Sequence, residues 1–373
     1  MSGSSPKIPS ERLAEHAPEV AAAFKQLRAA IEKSGPLDYA TREYLMLAAF
    51  AAAGFEESFR IHAMRAAQRG LPKAAVQQAV LVPFGATQAM LPVVKALAWI
   101  EEAYRGFSAE VFSVKAKIEL GCSKSGEGPP LLLVHGTTSE KSRWAPVLSK
   151  FQGRFTVYAM DRRGRGASGD ASEHRMELEF ADVAAVVDAI GAPVNVVAHS
   201  YGAICALEAT RLTKNIRRLV LYEPPIATGT DAQADAALEE TIGLVEKALA
   251  KDDRAGALSL FYSRNLKMSE TEIAAMQRLP SWPARLALAH TLPRELRATR
   301  AYRFSAGAFR GYDIPTLLVL GGDSAPRYKN AIELLHTSLA GSKLSVLAGE
   351  RHGAIDTAPE LFAATVLDFL RRS

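Results

Sequence analysis

The sequence predicts an all-helical N-terminal domain followed by an α/β domain built on a mainly parallel sheet. Three observations carry this. Up to about residue 104 the apolar residues recur at helical spacing. Beyond Gly106 short β-rich runs alternate with amphipathic helices. The chain has 373 residues, room for two domains of about 100 to 200 residues each. Hydrophobic residues make up 48% and charged residues 23%, enough apolar surface for a sizeable core and no mark of general disorder.

The first ten residues, MSGSSPKIPS, lack the charged start and apolar stretch of a secretory signal and read as a disordered tail. Residues 11–106 form the expected helical domain, with Ala-rich segments at 40–53, 59–68 and 73–82. Turn signals separate them at Ser34-Gly35-Pro36, Gly54, Gly70-Leu71-Pro72 and Gly85. Residues 107–373 form the α/β domain, with strands expected at 111–120, 131–134, 155–160, 194–198, 219–222, 316–320 and 344–347. Several of these runs are continuously apolar, as strands covered on both faces are. About ninety residues separate the strand ending at Tyr222 from the one starting at Thr316, and they carry helical patterns such as 236–249. That is too long for a loop, so residues 226–311 are expected to be an inserted helical cap.

Charge and cysteine usage narrow the function. The formal net charge of +5 comes without a run of five or six Lys/Arg, so nucleic acid and membrane surfaces are not expected partners. A mild preference for anionic small molecules is the most this charge supports. Cys122 and Cys205 are far apart, which points to a reducing compartment rather than a disulfide framework. No stretch reaches the roughly 18 apolar residues of a transmembrane helix, and a cytoplasmic location is expected. No cofactor and no metal are implied: there is no GxGxxG after a strand, no GxxxxGK[ST] loop and no clustered His/Cys/carboxylate set.

The chemistry centres on Ala198-His199-Ser200-Tyr201-Gly202, a strand running through a tight turn into a helix. Small residues on either side of Ser200 let strand and helix approach, and leave the hydroxyl exposed at the carboxyl edge of the sheet. Leu131-Leu132-Leu133-Val134-His135-Gly136-Thr137-Thr138 is a buried strand entering a His-Gly turn. There the backbone N–H of Thr137 can converge with that of Tyr201 on a developing oxyanion. Serine needs a base, and His352 follows the last core strand in Gly349-Glu350-Arg351-His352-Gly353. Asp323, in Gly321-Gly322-Asp323-Ser324 after the preceding strand, is expected to orient that base. All three fall at carboxyl ends of expected strands, where open α/β sheets place their sites.

On these residues, positions 111–373 resemble the α/β-hydrolase family. The resemblance implies an α/β-hydrolase fold with a helical cap and a Ser200, Asp323, His352 order of catalytic residues. Asp161-Arg162-Arg163-Gly164-Arg165-Gly166-Ala167-Ser168 resembles that family's D-x-R-G-x-G-x-S turn, and Leu221-Tyr222-Glu223-Pro224-Pro225 its strand into the lid. The cap offers Phe261, Tyr262 and Trp282, with His290, Arg285, Arg294 and Arg297, for contact with substrate.

The helical domain resembles the carboxymuconolactone decarboxylase and alkylhydroperoxidase-like family. The resemblance rests on Leu37-Asp38-Tyr39-Ala40-Thr41-Arg42-Glu43, Gly54-Phe55-Glu56-Glu57-Ser58-Phe59-Arg60-Ile61-His62, and Gly70-Leu71-Pro72. It implies a homo-oligomer. Phe55 and Ser58 stand where the peroxidase branch has cysteines, so thiol chemistry has no sulfur here. His62, Arg60 and Glu57 form a possible second site, with His62 as proton donor and Arg60 holding a carboxylate.

The expected function is a serine hydrolase of a small-molecule ester or lactone, with the helical domain driving oligomerisation. One alternative is a bifunctional decarboxylase and enol-lactone hydrolase of aromatic-acid breakdown. Another is a non-catalytic protein that binds acyl ligands.

Overall fold

The computed structural model describes residues 9–68, 71–84, 89–104, 110–229, 232–279 and 281–371. The chain divides into two compact units, Met1–Gly106 and Phe107–Ser373.

The first unit contains α1 (Pro9–His16), α2 (Pro18–Lys33), α3 (Tyr39–Ala53), α4 (Glu56–Gln68), α5 (Lys73–Leu81) and α6 (Met90–Tyr104). Asp38 starts α3 by accepting the Thr41 N–H at 2.7 Å, and Gly54 ends it with φ +70°, a left-handed turn that favours glycine. Leu47, Phe59, Ala63, Val76, Val80 and Ile100 are fully buried between the helices. Helix α1 begins at Pro9, inside the expected tail. Residues 1–8 of that tail, Gly70, Gly85 and the junction at 105–109 lie outside the described residues.

The second unit is built on one eight-stranded sheet of order β1-β2-β4-β3-β5-β6-β7-β8. The strands are β1 (Glu110–Lys115), β2 (Glu119–Ser125), β3 (Pro130–Val134), β4 (Thr156–Met160), β5 (Val194–His199), β6 (Ile216–Tyr222), β7 (Thr316–Gly321) and β8 (Lys343–Leu347). From β4 to β8 every pairing is parallel. The expected single strand at 111–120 is instead an antiparallel hairpin, β1 against β2, closed by the Ala116 N–H donating to the Ile118 carbonyl at 3.0 Å. Its turn, Ala116-Lys117-Ile118, contains none of the Gly, Pro, Asn or Asp that usually mark a reversal.

Side chains alternate between the two faces of the sheet and build two separate cores. Leu132, Val134, Val196 and Ala198 join the core on one face, and Leu131, Leu133 and Val197 the core on the other. The central strands are thus buried on both sides, as their largely apolar runs require.

Between β6 and β7 the cap comprises helices Ala232–Leu249, Arg254–Leu260, Glu270–Gln277, Trp282–Leu288 and Leu292–Ala301, with one π-helical turn at Phe261–Asn265. It has its own core of Ile242, Val245, Leu258, Phe261 and Leu292. A buried charge cluster fixes the cap to the sheet domain. Glu295, in the last of these helices, pairs with Arg162 at 2.5 Å and Arg165 at 2.7 Å, while Arg162 also pairs with Glu179 at 2.6 Å. Although burial disfavours its charge, Arg162 and Arg165 hold the Glu295 carboxyl below its ordinary range. The turn carrying these arginines is shaped by Asp161, which accepts the N–H groups of Lys141 at 2.8 Å and Ala167 at 2.9 Å.

Candidate active site

Strand β5 runs into the helix Tyr201–Ala209 through Ser200, whose φ of 56° and ψ of −127° are strained for a residue with a side chain. The turn is held because the Ser200 N–H donates to the Tyr222 carbonyl at 2.9 Å. The His-Gly loop after β3 packs directly on it: a Cβ on Gly136 would lie 2.8 Å from the Ser200 Cβ, and one on Gly202 only 2.3 Å from the His135 carbonyl oxygen. Glycine at both positions is what lets this loop and the elbow meet.

The loop after β8 brings His352 to Ser200, with Nε2 3.0 Å from Oγ. On its other side, Nδ1 lies 2.7 Å from Oε2 of Glu223. That arrangement assigns Nδ1–H as donor to the carboxylate and leaves Nε2 to accept the Ser200 hydroxyl proton. Aromatic rings clamp the imidazole: Tyr328 stacks on it at 4.4 Å and 14°, and His199 lies 4.6 Å away on a tilted ring. Tyr222 fixes the surrounding loop by donating to the Arg351 carbonyl and accepting the Ala354 N–H at 3.1 Å. Burial lowers the His352 pKa below 6.5, against the upward pull of the Glu223 carboxylate, so the imidazole is neutral at neutral pH.

The expected partner of His352, Asp323, does not occupy this position. Its side chain is exposed, and its backbone N–H donates to the Glu350 carbonyl at 2.9 Å. Glu223 stands there instead, fully buried at the tip of β6 with φ +46°. Its Oε1 accepts the N–H of Gly321 at 2.7 Å, so the carboxylate lies across the end of β7 and fills the space next to the imidazole. The sequence signal was Glu223-Pro224-Pro225 directly after a buried strand adjoining that of the serine. The backbone twist that turns the carboxylate inward had no such signal.

Thr137 lines the cavity beside Ser200, and Tyr201 supplies the first N–H of its helix, which has no acceptor within the helix. The Tyr201 side chain points away into the core, with the Arg162 guanidinium 4.4 Å above its ring. The cavity holds about 510 Å³ and is bounded by Ser200 and His352 on one side and by Tyr262, Leu266, Met276 and Arg285 of the cap on the other. Of the cap residues picked out by sequence, Phe261, Tyr262 and Arg285 line it. Arg294 and Arg297 instead pair with Asp170 and Glu246.

In the helical unit the expected grouping of His62, Arg60 and Glu57 does not form. Two residues apart on a helix places side chains on nearly opposite faces. His62 is buried, with Nδ1 2.6 Å from Oε1 of the buried Glu43. Arg60 turns to Glu56 and Glu102 and lies over the Trp99 ring, while Glu57 is exposed.

A buried serine, a half-buried imidazole and a buried carboxylate in series, at the carboxyl ends of parallel strands and beneath a helical cap, is the arrangement of a hydrolase. Comparison with known proteins agrees. Residues 131–365 match the Alpha/beta hydrolase family, and the chain belongs to that family. It is 28% identical over 250 residues to a pimeloyl-[acyl-carrier protein] methyl ester esterase of Neisseria meningitidis, covering 64% of this chain and 92% of that one. It is 24% identical over 249 residues to an (E)-2-((N-methylformamido)methylene)succinate hydrolase of Acinetobacter baylyi, covering 64% and 88%. The crystal structure of an α/β hydrolase from Sphaerobacter thermophilus superposes with a TM-score of 0.60 at 29% identity, over 70% of this chain and all of that one. The protein is an enzyme of the hydrolase class.

Proposed function

We propose that this enzyme hydrolyses a small ester or lactone through an acyl-enzyme on Ser200. The observation that carries this reading is the unbroken series from Ser200 Oγ through His352 to Glu223, at 3.0 Å and 2.7 Å. His352 Nε2 takes the hydroxyl proton as Oγ attacks the carbonyl carbon, and Glu223 stabilises the imidazolium that forms. The N–H groups of Thr137 and Tyr201 receive the oxyanion. His352 then gives its proton to the leaving alkoxide, and water, deprotonated by the same imidazole, releases the acid. The esterase and hydrolase names of the two relatives support acyl hydrolysis as the reaction.

The helical unit, in this reading, joins copies of the chain and has a carboxymuconolactone decarboxylase-like fold. Val20, Phe24, Leu27 and Ile31 are exposed on α2 at spacings of four, three and four, an apolar seam suited to a partner helix. Decarboxylation at His62 receives no support from the geometry, since Arg60 lies on the other face of α4. Among the described residues no helix is long and apolar enough to cross a membrane, and we place the enzyme in the cytoplasm.

The test is hydrolysis of 4-nitrophenyl esters of graded acyl length by the wild type and Ser200→Ala. Turnover that falls roughly 10⁶-fold in the variant supports the reading. Equal turnover in the two contradicts it.

A further inference from the structure

Five arginines are buried among the described residues: Arg143, Arg162, Arg163, Arg165 and Arg285. Four of them pair with carboxylates: Arg143 with Asp356, Arg162 with Glu179 and Glu295, Arg163 with Asp182, and Arg165 with Glu295. Arg285 has no ion pair among the described residues, although only 7% of its surface is exposed. Its polar neighbours are neutral and distant: Thr138 Oγ1 at 3.5 Å, Tyr262 OH at 3.3 Å and Ser281 Oγ at 3.4 Å. All three exceed the roughly 2.7–2.9 Å of a charge-assisted hydrogen bond. A guanidinium is charged at every working pH, so this is a desolvated positive charge whose donors are only loosely used.

Its position gives that charge a purpose. Arg285 sits on the cap helix Trp282–Leu288 and faces the cavity that contains Ser200 and His352. It reaches Thr138, the neighbour of the proposed oxyanion donor Thr137, and Thr138 itself adopts a left-handed φ of 57°. Tyr262, on the π-helical turn, supplies a hydroxyl to the same spot, 3.2 Å from Thr138 Oγ1. The carboxylates around the cavity are already engaged: Asp356 by Arg143, Glu272 by Arg351, Glu350 by Thr357, and Glu223 by His352. Among the described residues none of these carboxylates pairs with Arg285.

We propose that Arg285, with Tyr262 and Thr138, receives a free carboxylate of the substrate, so that the enzyme acts on half-esters or lactones of short dicarboxylic acids. The fork of a guanidinium matches a carboxylate with two parallel hydrogen bonds, and the apolar wall of Leu266, Met276 and Leu279 suits the methylene chain between the two acid groups. This assignment rests on the acyl-hydrolase reading above and names the substrate class for the same site.

The experiment compares kcat/KM for mono-4-nitrophenyl adipate with that for 4-nitrophenyl hexanoate, its uncharged counterpart of equal chain length, using the full-length protein. The wild type is expected to favour the anionic ester. Arg285→Gln should lower the anionic-to-neutral ratio by about 10- to 100-fold, the worth of a hydrogen-bonded charge contact, mainly through KM. Arg285→Lys, which keeps the charge but not the fork, should retain part of the preference and guards against a folding defect in the first variant. Inhibition of hexanoate hydrolysis by free adipate should weaken in the same order. A wild-type ratio at or below one, or a ratio unchanged in Arg285→Gln, overturns the assignment while leaving the hydrolase standing. No turnover of either ester, with no fluorophosphonate adduct on Ser200, overturns the hydrolase reading and this assignment with it.

Discussion

Val20, Phe24, Leu27 and Ile31 lie exposed along α2, whereas every side chain of β5, the strand that leads to Ser200, is buried. The contrast extends over both units. Fourteen of the nineteen exposed large apolar side chains among the described residues belong to Met1–Gly106, the smaller unit. A helical unit of about 100 residues has little interior relative to its surface, whereas a sheet covered on both faces closes its own cores. The larger unit uses its burial to hold a reactive geometry, while the smaller one leaves apolar side chains exposed, the surface through which we propose that it joins another copy.

Substitutions can break this division of labour. The largest expected effect is on catalysis: His352→Ala should lower ester turnover roughly 10⁶-fold, while His62→Ala in the helical unit leaves it unchanged by the same assay. Loss of turnover in the His62 variant would mean that the helical unit takes part in hydrolysis. Next comes stability. Glu295→Gln strands Arg165 and half of Arg162 in the interior and should cost about 3–5 kcal/mol in denaturant unfolding. Glu56→Gln, which breaks a half-exposed pair with Arg60, should cost about 0–1 kcal/mol. Phe24→Asp combined with Ile31→Asp should lower the mass seen by light scattering without changing turnover, and an unchanged mass would sink the proposed seam.

The smallest effect is on pH. Burial lowers the folded-state pKa of His135, His199 and His352 below 6.5, so the unfolded chain binds more protons than the folded one as acid is added. Stability is therefore expected to be fully present above about pH 6.5 and to fall as pH drops through and below that value, visible as a declining Tm. The acid limb of kcat/KM should likewise lie below pH 6.5, and a limb above it would contradict a half-buried His352 that is neutral at neutral pH.

Much of this could be seen in the sequence, for identifiable reasons. The run at 131–134 is apolar without interruption, and those at 194–198 and 316–320 each carry a single polar residue, Asn195 and Thr316, because those strands are covered on both faces. Ser200 and His352 are marked by small residues and by their positions after strands. What lay hidden depends on geometry without local chemistry. The reversal at 116–118 uses no turn former, and Arg162 and Glu295 meet across 133 residues of chain. The π-helical turn that presents Tyr262 has no sequence mark. Glu223 serves His352 only because its own backbone is left-handed and β6 lies beside β7. The separation of Arg60 from His62, by contrast, was present in their spacing of two on one helix.

The choice between Glu223 and Asp323 tests the central claim most directly. The measurement is kcat for 4-nitrophenyl ester hydrolysis by Glu223→Gln and Asp323→Asn beside the wild type. The geometry predicts a loss of about 10⁴-fold in Glu223→Gln, from an imidazole left without its orienting carboxylate, and wild-type turnover in Asp323→Asn. A large loss in Asp323→Asn with little in Glu223→Gln would contradict the assignment of Glu223 to His352.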